Sequence, residues 1–429
     1  VSTTDTVADG NWHHVAFTID ATGNSFYIDG VKVAAGALNY SWGNASTTAF
    51  LDTVTNVDSV QVGVTGESGS YVYDFDGLID DVRVYDRALS HSDIAELAVN
   101  PSDAGTAIWS DMSNTPQAND WDGSSFGTSG ATAPLDDNYR ILQGADAPTR
   151  DEKIVVGVNA TGTVVGELWN GSSWTAFKTG GAVSETYWYG AEVAYEQVSG
   201  DAIVVWNDNS QAAGDKLQYR IWDGTSWTAP QTIAAYPGAE PQNLRLAFDP
   251  GSDAMVLVVS DASADHYALV WDGDSWGNAI SLDSSGTAES DQSAIAVSYE
   301  AQSGNALVTY GKNGDTDVYY RVWNGSSWGA EGSLAATTGI GTQTAWLSAA
   351  NDLNSDRIVL GVTTTGNEAW TAIWNGSSWE AGHTLADGAS ASTTGSIHPA
   401  LAVAFESTTG EALVTYGRSG QTEVYYQTW

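Results

Sequence analysis

The chain has 429 residues, room for two or three domains, and is 42% hydrophobic, which excludes wholesale disorder. Fourteen lysines and arginines stand against 53 aspartates and glutamates, and the resulting formal charge of −39 opposes binding to nucleic acid or to an anionic membrane surface. Cysteine is absent, which removes disulfides, thiolate metal sites and cysteine nucleophiles together.

No window nears the ~18 consecutive apolar residues of a membrane helix. Val1 opens on polar sequence that reads as mid-domain, so the expectation is a piece of a longer secreted polypeptide, extracellular or on a bacterial cell surface.

Over the first hundred residues Val15, Phe17 and Ile19 alternate as strand residues do. Asp29-Gly30 is a hairpin turn, and Val82 and Val84 alternate with Arg83 and Tyr85. His13 and His14 are consecutive, and consecutive strand residues point to opposite faces, which argues against one shared ion. Asp80 and Asp81 are the metal candidates, with calcium the ion that carboxylate oxygens suit and strand-edge hydrogen bonding the competing role. Ser90 to Val99 carries a helical spacing of apolar residues, with Ser90 or Ser92 as N-cap.

Taken in order, DGNWHHVAFTID (9–20), FYIDGVKV (26–33) and FDGLIDDVRVYDRALSHSDIAEL (75–97) resemble the later half of the laminin-G-like, concanavalin-type jelly roll of bacterial surface proteins. The resemblance implies a sandwich whose opening strands are not in this segment, so residues 1–100 are not expected to fold alone. A change of composition over NPSDAG (100–105) marks the expected boundary between a domain at 1–100 and a second at 105–429.

Beyond the boundary short runs of Val, Ile, Tyr, Thr and Trp alternate with Gly, Asn, Asp and Ser clusters, the all-β pattern. The hexapeptide W-[ND]-G-x-S-[WF] begins at Trp121, Trp169, Trp222, Trp271, Trp323 and Trp374, and Trp429 stands where a seventh copy would start. The spacing of 48 to 55 residues is that of one four-stranded propeller blade. Two kinds of repeat alternate: YEQVSGDAIVVW (from Tyr195), YEAQSGNALVTY (from Tyr299) and FESTTGEALVTY (from Phe405) against EKIVVGV (from Glu152), DAMVLVV (from Asp253) and DRIVLGV (from Asp356). A two-blade unit used three times predicts six blades, closed by pairing the strand after Trp121 with the strands of 399–429; seven blades is the alternative.

Asn-Gly or Asp-Gly within the hexapeptide predicts a type I′ hairpin turn, and a loop of either two or four residues puts both aromatics on one face. Twelve of the 19 tryptophans belong to the repeat if Trp429 is counted, which assigns most of the indole to packing between blades. The hairpin resembles the Asp-box of sialidase-type propellers. That resemblance implies an arginine cluster, a tyrosine nucleophile and acid/base carboxylates in an active member. Here Arg220 and Arg321 fall at equivalent repeat positions, as structural residues do, and no catalytic set breaks the repeat.

With the hexapeptide turns on one propeller face, binding is expected on the other. There Tyr187, Trp188, Tyr189 and Tyr236 occupy connections between blades, and Asp208, Lys312 and Arg418 occupy loops between second and third strands. Exposed rings beside hydrogen-bonding side chains suit a sugar, whose C–H face stacks and whose hydroxyls need partners. The reading that follows is a non-enzymatic extracellular adhesion protein that binds glycans or other surface polymers. A self-assembling component of a surface layer or filament is the alternative, and a glycoside hydrolase comes third. No catalytic residue and no cofactor is assigned, calcium at Asp80 and Asp81 apart.

Overall fold

A strand covered on both faces needs apolar side chains at every position rather than at alternate ones. That is the composition of KIVVGVN, AIVVWN, MVLVVSD, ALVTYG and IVLGVTT, and all five runs form strands buried almost throughout. They are the second strands of successive antiparallel sheets.

The computed structural model describes residues 139–429 except 149, 187, 285–292, 338–339, 387–399, 407–409 and 419–422. Before residue 139 it describes 2–3, 13–20, 23–28, 31–33, 38–39, 65–67, 70–72, 89, 94, 104–109, 117–122 and 130–131. The chain divides into two compact units, residues 1–105 with 121–126 and residues 106–120 with 127–429.

In the first unit Val15–Asp20, Gly23–Ile28 and Val31–Lys32 form a three-stranded antiparallel sheet. Ile28 lies opposite Val31, the pairing a two-residue hairpin requires, although Asp29 and Gly30 themselves fall outside the described residues. Tyr27 and Val33 are buried, whereas Val15, Phe17 and Val31 are 50%, 47% and 69% exposed. Val15 and Phe17 thus lie on the more exposed face of their strand. Ile94, within the expected helix, is helical and fully buried. Asp80, Asp81 and Val82 to Tyr85 lie outside the described residues.

In the second unit six sheets follow one another from Tyr139 to Thr428, here termed blades 1 to 6: residues 139–182, 191–232, 241–283, 295–334, 344–386 and 401–428. Blades 1 to 5 have four strands in sequential order, and blade 6 has three. The first strands of successive blades contact one another, and apolar layers fill the space between each blade and the next. The ring of Tyr189, just before blade 2, meets the edge of Trp346 in blade 5 at 5.7 Å. First strands that converge while outer strands diverge give the radial arrangement of a propeller.

The two kinds of repeat differ in shape as well as sequence. Blades 1, 3 and 5 open on eight-residue strands (Tyr139–Asp146, Pro241–Phe248, Thr344–Asn351), each with a register shift near its start. Blades 2, 4 and 6 open on regular five-residue strands (Ala191–Tyr195, Ile295–Tyr299, Leu401–Phe405).

A three-stranded sheet (Ala104–Trp109, Gln117–Asp122, Gly130–Ala131) precedes blade 1. Here the expected closure is not seen among the described residues: Gly130–Ala131, the strand after Trp121, pairs with Gln117 and Ala118.

The turn itself departs from type I′. Trp169 lies directly opposite Trp174 and Trp222 opposite Trp227, so four residues form the loop. Only glycine has positive φ, +86° at both Gly171 and Gly224. The second φ is replaced by the Asx side chain. Asn170 Oδ1 accepts the N–H groups of Ser172 and Ser173 at 3.1 and 3.0 Å, and Asp223 Oδ1 those of Thr225 and Ser226 at 2.8 and 2.7 Å. Gly171→Val should cost about 1–2 kcal/mol, because a β-branched residue is strained at this φ. Its Cβ would also stand 3.1 Å from the Asp151 carbonyl oxygen. An unchanged melting temperature would contradict the turn assignment.

Candidate functional site

Loop connections that carry aromatic rings are drawn inward when their backbone finds partners in the next blade. The Tyr189 N–H donates to Asn243 Oδ1 at 3.1 Å, and the Leu244 N–H to the Tyr189 carbonyl at 2.9 Å. Both acceptor and donor side lie on the first strand of blade 3, so Trp188 and Tyr189 end only 6% and 8% exposed. Tyr236 is 4% exposed, edge-on to Tyr267 at 5.7 Å. The expected stacking platform of exposed rings is therefore not there, and Tyr187 lies outside the described residues.

Asp208 is also buried, its carboxylate taken up by the Ser210 N–H and hydroxyl and by Gln211 Nε2 at 2.8 Å. Lys312 and Arg418 occupy matching places in blades 4 and 6. Lys312 Nζ lies 3.9 Å from the Tyr319 ring centre and 2.8 Å from Glu331 Oε1, and the Arg418 guanidinium lies 4.3 Å from the Tyr425 ring. Their cations cover the rings that a sugar would need. Of the seven expected residues Tyr189 borders a cavity whose described lining includes none of the others.

That cavity, of about 370 Å³, lies where the first strands converge. Its walls come from Arg140 to Gln143 of blade 1, Tyr189, Arg245 of blade 3, Ala296 and Val297 of blade 4, and Leu347 to Ala349 of blade 5. Behind the wall Glu192 of blade 2 joins three blades: Gln143 Nε2 donates to its Oε1 at 2.6 Å, and Arg245 Nη1 approaches the same oxygen at 3.4 Å. The same Nη1 donates to the Leu244 carbonyl at 2.8 Å, and the guanidinium sits 4.5 Å from the centre of the Tyr189 ring.

Burial pushes the Glu192 carboxyl up to about 7, with Arg245 and the Gln143 hydrogen bond opposing the rise. The Tyr189 hydroxyl is likewise raised by burial, again opposed by Arg245. The cluster thus holds a carboxyl that changes charge near neutral pH beside a guanidinium that does not.

These residues break the repeat. AEVAY in blade 2 places Glu192 where IAVSY and LAVAF place Ala296 and Ala402, and Arg245 in blade 3 corresponds to Ser348 in blade 5. A charged residue in a first strand that elsewhere carries alanine was the available signal, and the sequence reading passed over it. Among the described residues no group of acidic and histidine side chains is placed to hold a metal ion. Nor, among those residues, is any helix long and apolar enough to cross a membrane.

Residues 1–95 match the model of the concanavalin A-like lectin/glucanase superfamily. No curated protein matches the chain significantly in sequence. Among solved structures, the BP39L lectin of Burkholderia pseudomallei is similar at TM-score 0.51 and 12% identity, over 76% of this chain and 91% of that one. The lectin of Aleuria aurantia, described as a six-bladed β-propeller with a fucose recognition mode, aligns at TM-score 0.41 and 16% identity over 67% of this chain and 97% of its own. AofleA from Arthrobotrys oligospora aligns at TM-score 0.44 and 11% identity over 76% and 86%. The chain is thus an all-β protein whose run of four-stranded sheets shares the fold of a bacterial lectin, with a concanavalin-like segment at residues 1–95.

Proposed function

We propose that the chain is a non-enzymatic glycan-binding protein of the bacterial cell exterior, in which blades 1 to 6 form the ring and the central cavity is the sugar site. One observation carries the reading: a cavity of about 370 Å³ with Arg140, Gln143, Arg245 and Ser348 in its wall, where the equivalent positions of blades 1, 3 and 5 carry three different polar side chains, Gln143, Arg245 and Ser348. The lectin nature of the Burkholderia protein of the same fold is in keeping with it. Hydrolysis of a glycosidic bond normally takes two carboxylates flanking that bond. The cavity wall has none, and Glu192 stands behind it as a single one.

Within this reading Tyr189 shapes the site rather than stacking on the sugar, and Lys312 and Arg418 serve as outer contacts for a longer chain. The acidic, cysteine-free composition accords with a location outside the cell.

A glycan array probed with the intact chain tests the function. Binding to a defined subset of saccharides is the expected result. A blank array together with ordered filaments in electron micrographs would overturn it in favour of a surface-layer component.

A further inference from the structure

In a chain of net charge −39 the wall of the central cavity carries two arginines and no carboxylate. Arg140 is exposed and, among the described residues, is held by no hydrogen bond or ion pair. Arg245 is 83% covered, and its ion-pair contact with Glu192 is long, 3.4 Å. The only aromatic side chain on the wall, Tyr189, offers no free face to the C–H surface of a neutral sugar. The Arg245 guanidinium lies over its ring at 4.5 Å, and Trp346 meets it at 5.7 Å. What the cavity presents is therefore guanidinium, whose planar fork of donors matches carboxylate and sulfate oxygens.

We propose that the central cavity selects saccharides bearing an anionic group, carboxylate or sulfate, through Arg140 and Arg245; this rests on the glycan-binding reading above. Selection is pH-dependent through Glu192. The groups that face it are Arg245 from blade 3, Gln143 from blade 1 and Tyr189 from the connection before its own strand, with Arg140 across the wall. Of these only Glu192 changes charge between pH 8 and 6, because the arginines stay cationic and the Tyr189 hydroxyl is raised above its ordinary value. When Glu192 takes up its proton, Arg245 loses its anionic partner and becomes available to the ligand.

Calorimetric titration of the intact chain with glucose, galactose and the 6-carboxylate and 6-sulfate forms of each, at pH 6 and pH 8, tests the proposal. At pH 6 an anionic form should bind at least about tenfold more tightly than its neutral parent, and the advantage should shrink at pH 8. The carboxylate and sulfate arms show which anion is preferred. Arg140→Gln should remove most of the advantage while leaving the melting temperature in place. In the unaltered chain, raising sodium chloride should weaken the acid sugars and not the neutral ones. Neutral and anionic forms binding equally, or an anionic advantage that survives Arg140→Gln, would overturn the proposal and leave the glycan-binding reading standing. Failure of every sugar, on an array as in solution, would overturn both.

Discussion

Trp374→Ala should destabilise the propeller by about 3–5 kcal/mol, the range for deleting a large buried aromatic side chain. Trp374 is 4% exposed, and its indole N–H donates at 2.6 Å to Glu300 Oε1 in the preceding blade. Its ring packs on Tyr320, also of blade 4, at 5.4 Å. The same latch recurs one two-blade unit earlier, where Trp271 donates to Glu196 at 2.6 Å and packs on Tyr219 at 5.8 Å. Each glutamate also accepts the hydroxyl of the serine three residues on, Ser303 and Ser199, which fixes the carboxylate for the indole. Truncating the tryptophan leaves a buried carboxylate short of a donor as well as a cavity.

Trp169 heads the same hexapeptide in blade 1 but donates within its own blade, to Asp151 at 3.3 Å, and is only half-buried. Trp169→Ala should cost about 1 kcal/mol. Urea midpoints followed by circular dichroism compare the two variants. Equal losses would contradict the bond to the glutamate of the preceding blade as the source of the difference.

The second large effect concerns pH. A carboxyl raised from its ordinary 4.5 to about 7 holds its proton in the folded state after the unfolded chain has released it. Stability from Glu192 is therefore complete below about 4.5 and falls as pH rises towards 7. The total is roughly 3 kcal/mol, each tenfold change in proton affinity being worth about 1.4 kcal/mol. Glu196 and Asp265 are also raised by burial, so the slope of the whole protein is not that of one residue. Glu192→Gln isolates it. Between pH 5 and pH 8 the unaltered chain should lose roughly 2–3 kcal/mol more than the variant in urea denaturation. Parallel losses would mean that Glu192 is ionised throughout that range.

Much of the propeller was legible because its repeat carries its own local chemistry. The W-[ND]-G-x-S-[WF] hexapeptide closes a hairpin through contacts within six residues, and runs such as IVVGV announce a strand covered on both faces. The split into two kinds of repeat was readable from YEQVSG and YEAQSG, and it reappears as the Glu196 and Glu300 latches.

What was not legible depends on which blade meets which. Trp188 and Tyr189 sit in a polar connection that reads as exposed, and only the bonds to Asn243 and Leu244 in the next blade show why they are buried. The strand after Trp121 is expected to pair with a distant partner because propellers often close that way, yet Gly130 and Ala131 pair with Ala118 and Gln117. The cavity cluster joins Gln143, Glu192 and Arg245 from three blades about fifty residues apart, and no local pattern links them. Its one trace in the sequence is the Glu192 of AEVAY beside the alanines of IAVSY and LAVAF.

The sugar site itself is tested most directly by filling it. Ser348 lines the cavity from blade 5, so Ser348→Trp would place an indole in the space assigned to the sugar and leave the latches of Glu196 and Glu300 untouched. On a glycan array the unaltered chain should bind its saccharides and the folded variant should not. A variant that keeps its melting temperature and the full array signal would place glycan binding elsewhere and contradict the account.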